Sequence, residues 1–196
     1  SLDGHRISIR RVQLKDHYED EKVIVPGKTL TEISKILSGE ADREVLIYFT
    51  ANHILFEFDD TVVVSRLIEG QYFNVNQMLS NDYETRITLN KQELLDSIER
   101  SVLLIRESDK KPIIITITDM GMEIAIQSAI GSLKEEILIH KEGKDITIGF
   151  NPKFLIDALR VIDDENVDLY MVNSKAPCFI RDGEGNYIYL ILPVNI

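Results

Sequence analysis

An α+β fold assembled from a repeated unit is what this 196-residue sequence predicts. Three observations carry the expectation. A strand–turn–helix phrase is written three times in different letters. Each copy is followed by a long run of alternating, β-type sequence broken by turn residues. The helices come singly, each heading its block, which is not the strict alternation of a parallel βαβ protein.

In the first copy, residues 22–25 read as a strand, Pro26-Gly27 as a turn and residues 28–37 as a helix. In the second, 85–89 is the strand, Asn90 the turn and 91–103 the helix. In the third, 145–149 is the strand, Phe150-Asn151-Pro152 the turn and 153–162 the helix. Apolar residues recur every three or four positions along each helix, the spacing of one face. They are Leu30, Ile33, Ile36 and Leu37; then Leu94, Leu95, Ile98 and Val102; then Phe154, Leu155, Ala158, Leu159 and Ile162. One such unit cannot bury both its helix face and its sheet face, so several must pack together.

The remaining elements follow from alternation and turn chemistry. An opening strand at 6–14 precedes a polar loop at 15–21. Strands at 44–50, 53–58 and 61–67 are separated by Ala51-Asn52 and Asp59-Asp60, and residues 70–83 lack periodicity and read as a linker. Further strands are expected at 112–118, 123–128 and 134–140, then at 167–172, 177–181 and 187–193. Residues 182–186, Asp-Gly-Glu-Gly-Asn, suit the last hairpin turn because they tolerate positive φ. Residues 83–196 therefore read as one complete domain, and 1–82 as the second half of another.

Composition narrows the function. Hydrophobic content of 44% and charged content of 28% are those of an ordinary globular protein. No apolar run is long enough to span a bilayer as a helix. One cysteine, Cys178, and four scattered histidines give neither a disulfide framework nor ligand spacing for zinc. No metal or cofactor and a cytoplasmic home are expected. The net charge of −11 opposes bulk attraction to nucleic acid, yet basic residues collect on helix faces. Lys28 with Lys35, and Lys153 with Arg160, stand seven apart, about two turns, on one face. Lys91 and Arg100 align less well.

Little suggests catalysis. Asp3-Gly4-His5-Arg6 could pair a base with its orienter. However, adjacent residues on an extended chain point oppositely, and no nucleophile is placed to complete the set. Asp59-Asp60 and Asp163-Asp164-Glu165 could hold a divalent cation, though neither matches a calcium loop. The tail is apolar almost to its end, with Leu190, Ile191, Leu192, Pro193, Val194 and Ile196. Pro193 cannot donate to a ladder, so the last strand should end near it. Apolar residues beyond it form the kind of patch a partner covers.

Four segments together resemble the bacterial sliding-clamp family, the β subunit of DNA polymerase III. Asp3-Gly4-His5-Arg6-Ile7 is similar to that family's TDGHRL signature, and Val23-Ile24-Val25-Pro26-Gly27-Lys28 to its VIVPRK-like segment. Ile148-Gly149-Phe150-Asn151 resembles its IGFN segment, and Tyr189–Val194 its YLxLPV-like end. They occur in family order over the whole chain. The match corresponds to the C-terminal half of a clamp.

The resemblance implies a DNA-clamp fold with two repeats per domain, helices lining a central hole and sheets outside. It implies a homodimeric ring around duplex DNA, loaded by a clamp loader and serving DNA polymerase III and other clamp-binding proteins, with no membrane partner. Lys28, Lys35, Lys91, Arg100, Lys153 and Arg160 would then face DNA through dilute phosphate contacts. It further implies a peptide-binding pocket. Gly4, His5, Arg6 and Ile7 would form one wall, with Gln77 and Met78, and Lys175, Pro177, Leu190, Leu192, Pro193 and Val194 the rest. An apolar cleft with few polar groups suits a hydrophobic peptide anchor. Ring closure on the last domain would use Leu103, Leu104 and an edge strand at 112–118. Leu2 stands where the family usually has Thr, and Gln77 and Asn195 where a basic residue is frequent. The competing expectations are a His-based or metal-dependent hydrolase, and a generic β-rich interaction module.

Overall fold

The computed structural model describes residues 1–37, 44–105 and 111–196. The chain divides into two compact units, Leu14–Leu79 and Ser1–Gln13 with Ser80–Ile196.

The larger unit is two copies of one pattern. β5 (Thr85–Asn90) leads into α2 (Lys91–Val102) and then β6 (Ile113–Thr118), β7 (Gly121–Ser128) and β8 (Gly131–Ile137). β9 (His140–Gly143) follows. β10 (Ile146–Phe150) leads into α3 (Pro152–Leu159) and then β11 (Asn166–Met171), β12 (Cys178–Arg181) and β13 (Tyr187–Ile191). The leading strands are exchanged: β5 pairs with β11, whereas β10 pairs with β6. Each helix therefore springs from a strand lying in the other repeat's sheet. Strict burial alternation along β5, β6 and β11 turns one face to a shared core. That core includes Ile87, Leu94, Ile98, Ile115, Ile124, Ile148, Phe150, Leu155, Leu159 and Leu169, drawn from both sheets and both helices.

Local chemistry fixes where the helices begin. The Asn90 side chain accepts from the Glu93 N–H at 3.0 Å, and the Asn151 side chain from the Lys153 N–H at 3.0 Å. Pro152 occupies the first turn of α3, where its missing N–H costs nothing.

In the smaller unit, α1 (Gly27–Ile36) accompanies an antiparallel sheet of β2 (Leu46–Phe49), β3 (His53–Phe58) and β4 (Thr61–Arg66). A 3₁₀ turn at Val75–Met78 follows. Its small core is Ile33, Ile54, Phe56 and Phe58.

Five expectations are corrected. Residues 22–25 form no strand; the Ile68 N–H donates to the Ile24 carbonyl, but no ladder develops. In the larger unit the leading strand of a repeat pairs with the other repeat's strands, and here only one such repeat is present to pair. Of the apolar face expected on α1 only Ile33 is buried, while Leu30, Ile36 and Leu37 are exposed. The opening strand is shorter than expected, β1 (Arg6–Arg10), and pairs with β13 in the six-stranded sheet β1-β13-β12-β11-β5-β9. In addition, β6 has no free edge, being flanked by β10 and β7 in the sheet β10-β6-β7-β8; the edge strands there are β10 and β8. An expected strand at 134–140 is split between β8 and β9.

Candidate functional site

Arg6, Ile191 and Cys178 lie side by side across β1, β13 and β12. One residue further along the same strands come His5, Leu192 and Pro177. The Leu192 N–H donates to the His5 carbonyl at 2.9 Å, extending the pairing by one step. Pro193 then has no N–H to place. The Val194 N–H donates to the Gly149 carbonyl at 2.9 Å, so the tail leaves β13 and bridges to β10 in the other sheet. Leu192, Pro193 and Val194 remain partly exposed along this crossing.

Strand parity divides the predicted residues between two faces. Ile7 and Leu190 are direct partners, with Phe179 beyond, and all three are buried on one face. Arg6 points the other way, toward α3. Its Nε donates to Asp3 at 2.8 Å, and its Nη1 to Asp157 at 2.6 Å and the Tyr189 hydroxyl at 3.3 Å. Its guanidinium carbon sits 4.3 Å from the Phe154 ring centre, a cation–π distance. Burial works against the Arg6 charge, but the Asp157, Asp3 and Tyr189 hydrogen bonds outweigh it and hold its pKa above the ordinary value. Arg6 is thus a pillar between β1 and α3. His5, exposed, stacks on Phe154 with ring centres 5.9 Å apart.

Asp3 does not orient the His5 imidazole. Its Oδ1 accepts from the His5 and Arg6 backbone N–H groups at 2.9 and 3.1 Å, and its Oδ2 takes Arg6. Partial burial opposes ionisation, yet these donors lower its pKa overall. The acidic run is likewise part of a turn: Asp164 accepts from the Gly183 N–H at 2.7 Å. Among the described residues, no three His, Cys, Asp or Glu side chains cluster as metal ligands.

Lys175 and Pro177 lie at the head of β12, where the Asn173 side chain accepts from the Lys175 and Ala176 N–H groups, both at 2.9 Å. Gly4 sits in the exposed turn before β1. Gln77 and Met78 are exposed on the 3₁₀ turn of the smaller unit. Three residues that sequence reasoning did not assign to the site are Phe154, Asp157 and Gly149. Phe154 reads as one more apolar helix position; its place beneath His5 and Arg6 depends on β1 pairing beside α3.

The basic helix residues are mostly spoken for. Arg100 donates twice to Glu135, Arg160 pairs with Glu99 at 2.8 Å and Lys35 with Glu32 at 2.9 Å. The Lys91 ammonium donates to the Ile162 carbonyl at 2.8 Å. Among the described residues, Lys28 and Lys153 are exposed without a salt bridge.

The fold and this wall define a class: an α+β scaffold of exchanged repeats with a partly exposed apolar strip beside the Arg6–Phe154 contact. Two family models match. One describes the C-terminal domain of the DNA polymerase III beta subunit and spans residues 76–195; the other describes the central domain of the same protein and spans residues 1–74. The chain belongs to the DNA polymerase III beta subunit family. A beta sliding clamp from Staphylococcus aureus is 33% identical over the whole chain, which covers 52% of that relative. A crystal structure of a DNA polymerase III beta subunit from Eubacterium rectale is 67% identical with a TM-score of 0.96, over 100% of this chain and 53% of that one. The sliding clamp of Bacillus subtilis is 32% identical with a TM-score of 0.93, again covering 53% of that chain. The chain thus spans about half the length of the relatives it matches.

Proposed function

We propose that this chain acts as part of a DNA sliding clamp, a non-catalytic processivity factor that holds polymerase and repair proteins on duplex DNA. The observation that carries the reading is the His5–Leu192–Pro177 row with its bridging tail. It leaves an apolar strip beside an aromatic ring, suited to the anchor of a short linear peptide. On this reading His5, Pro177, Leu192, Pro193 and Val194 touch the peptide, Gly4 and Lys175 border it, and Ile7 and Leu190 form an apolar floor. Arg6 supports Phe154. Gln77 and Met78 join the contact set from family resemblance alone. Residues 1–82 would contribute to the middle clamp domain and 83–196 make the last.

Lys28 and Lys153 would supply the freest contacts to phosphate, with Lys35, Lys91, Arg100 and Arg160 already partnered. Few free cations in an acidic protein give weak, salt-sensitive binding, as sliding requires. Ring closure in a homodimer would use the β8 edge with Leu103, which is 78% exposed. A hydrolase reading is disfavoured because Asp3 is spent on backbone N–H groups and Arg6.

Titration of a fluorescent Gln-Leu-x-Leu-Phe peptide tests this. Wild-type chain is expected to bind, and Leu192→Asp to weaken binding about thirtyfold or more, the scale of a lost hot-spot side chain. Binding unchanged by Leu192→Asp would remove the site from this wall.

A further inference from the structure

We propose that Gly149 is a positioning residue for peptide binding: its bare backbone is the saddle that holds the C-terminal tail in its binding shape. The inference rests on the peptide-wall reading above and extends it to a residue that touches no peptide. Leu192 is fixed by His5 and Val194 by Gly149, so Pro193 hangs between two hydrogen bonds that belong to different sheets. The six-stranded sheet supplies one anchor and β10, an edge of the four-stranded sheet, the other. The second anchor requires close approach. A Cβ on Gly149 would lie well inside contact distance of Ile196 Cγ2, and 3.3 Å from both the Val194 Cγ2 and the Val194 carbonyl oxygen.

The backbone conformation of Gly149 is ordinary extended strand, so the demand for glycine here is one of space. Its ladder with β6 pairs Gly149 opposite Ile114, and a β-branched residue suits such a strand intrinsically. Substitution there should therefore spare the strand and displace the tail. Ile196 is exposed and meets Gly149 through a side-chain methyl, so it can swing aside for a single methyl group; the Val194 backbone is less able to yield. A graded response follows. Gly149→Ala should move Ile196 and tilt Val194 slightly, whereas Gly149→Val should break the Val194–Gly149 bond and free the tail.

The test combines the peptide titration with amide hydrogen exchange on the same folded chains. Wild type should show a protected Val194 amide. Gly149→Val should lose that protection, keep protection in β6 and β7, and bind the peptide about tenfold more weakly, the scale of one overpacked contact. Gly149→Ala should weaken binding only a few-fold, and the double variant Gly149→Ala/Ile196→Ala, which removes the crowding methyl, should recover it. A general loss of stability would not be rescued in this way. Peptide affinity and Val194 protection both unchanged in Gly149→Val would overturn the inference. If wild type fails to bind peptide, the peptide-wall reading falls and the functional role of Gly149 with it. An unprotected Val194 amide in wild type would overturn the saddle on its own, whatever the peptide does.

Discussion

At the scale of single residues, Asp168 has an environment whose consequence can be measured. Its carboxylate accepts from the Thr88 hydroxyl, from Arg86 at 3.0 Å and from the Tyr170 hydroxyl at 3.1 Å. Burial favours its neutral form, but Thr88 and Arg86 outweigh that and lower its pKa below the ordinary 3.8. A carboxylate with a depressed folded-state pKa contributes stability above its unfolded pKa and loses it as pH falls through the folded value. Stability should therefore drop below about pH 4 partly through this group. Asp168→Asn should be less stable at pH 7 and show a shallower acid limb in thermal melts between about pH 5 and 2. An unchanged limb would assign acid sensitivity elsewhere. Sequence reading reached some individual residues and missed others for a definable reason. His5 and Leu192 stand in recognisable motifs, while Asp157 gains its role only because Arg6, far away in sequence, points toward α3.

Among the elements, the three helices were legible from spacing, and the starts of α2 and α3 from Asn90, Asn151 and Pro152. Asn90→Ala removes the side-chain acceptor for the Glu93 N–H at the start of α2 and should cost about 1 kcal/mol in urea denaturation, with the unfolding slope unchanged. A cost near zero would mean water satisfies that N–H as well as Asn90 does. Spacing misled on α1. Its apolar positions have helical period, yet Leu30, Ile36 and Leu37 stay exposed because the smaller unit holds one repeat, with a sheet of three strands, to cover them. The same shortage explains residues 22–25, whose β-type letters find no ladder. A strand is a property of a pair, and periodicity reports only one partner.

For the whole molecule, the proposal makes a topological prediction. A tether that depends on encirclement needs a closed ring, and this chain spans about half the length of its clamp relatives. The isolated 196-residue chain should not be retained on nicked circular DNA during gel filtration at moderate salt. Retention would mean that the exposed lysines bind DNA far more strongly than a few screened phosphate contacts allow. By itself the sequence determined the α+β class, two of the three strand–turn–helix phrases, the apolar tail and where the helices start. All of these rest on local spacing, caps and turn residues. Tertiary structure alone decided that leading strands are exchanged between repeats, that β1 pairs with β13, and that the tail crosses Gly149 to reach the second sheet. These are pairings between residues far apart in the chain, chosen by shared burial and by backbone hydrogen bonds that no local pattern encodes.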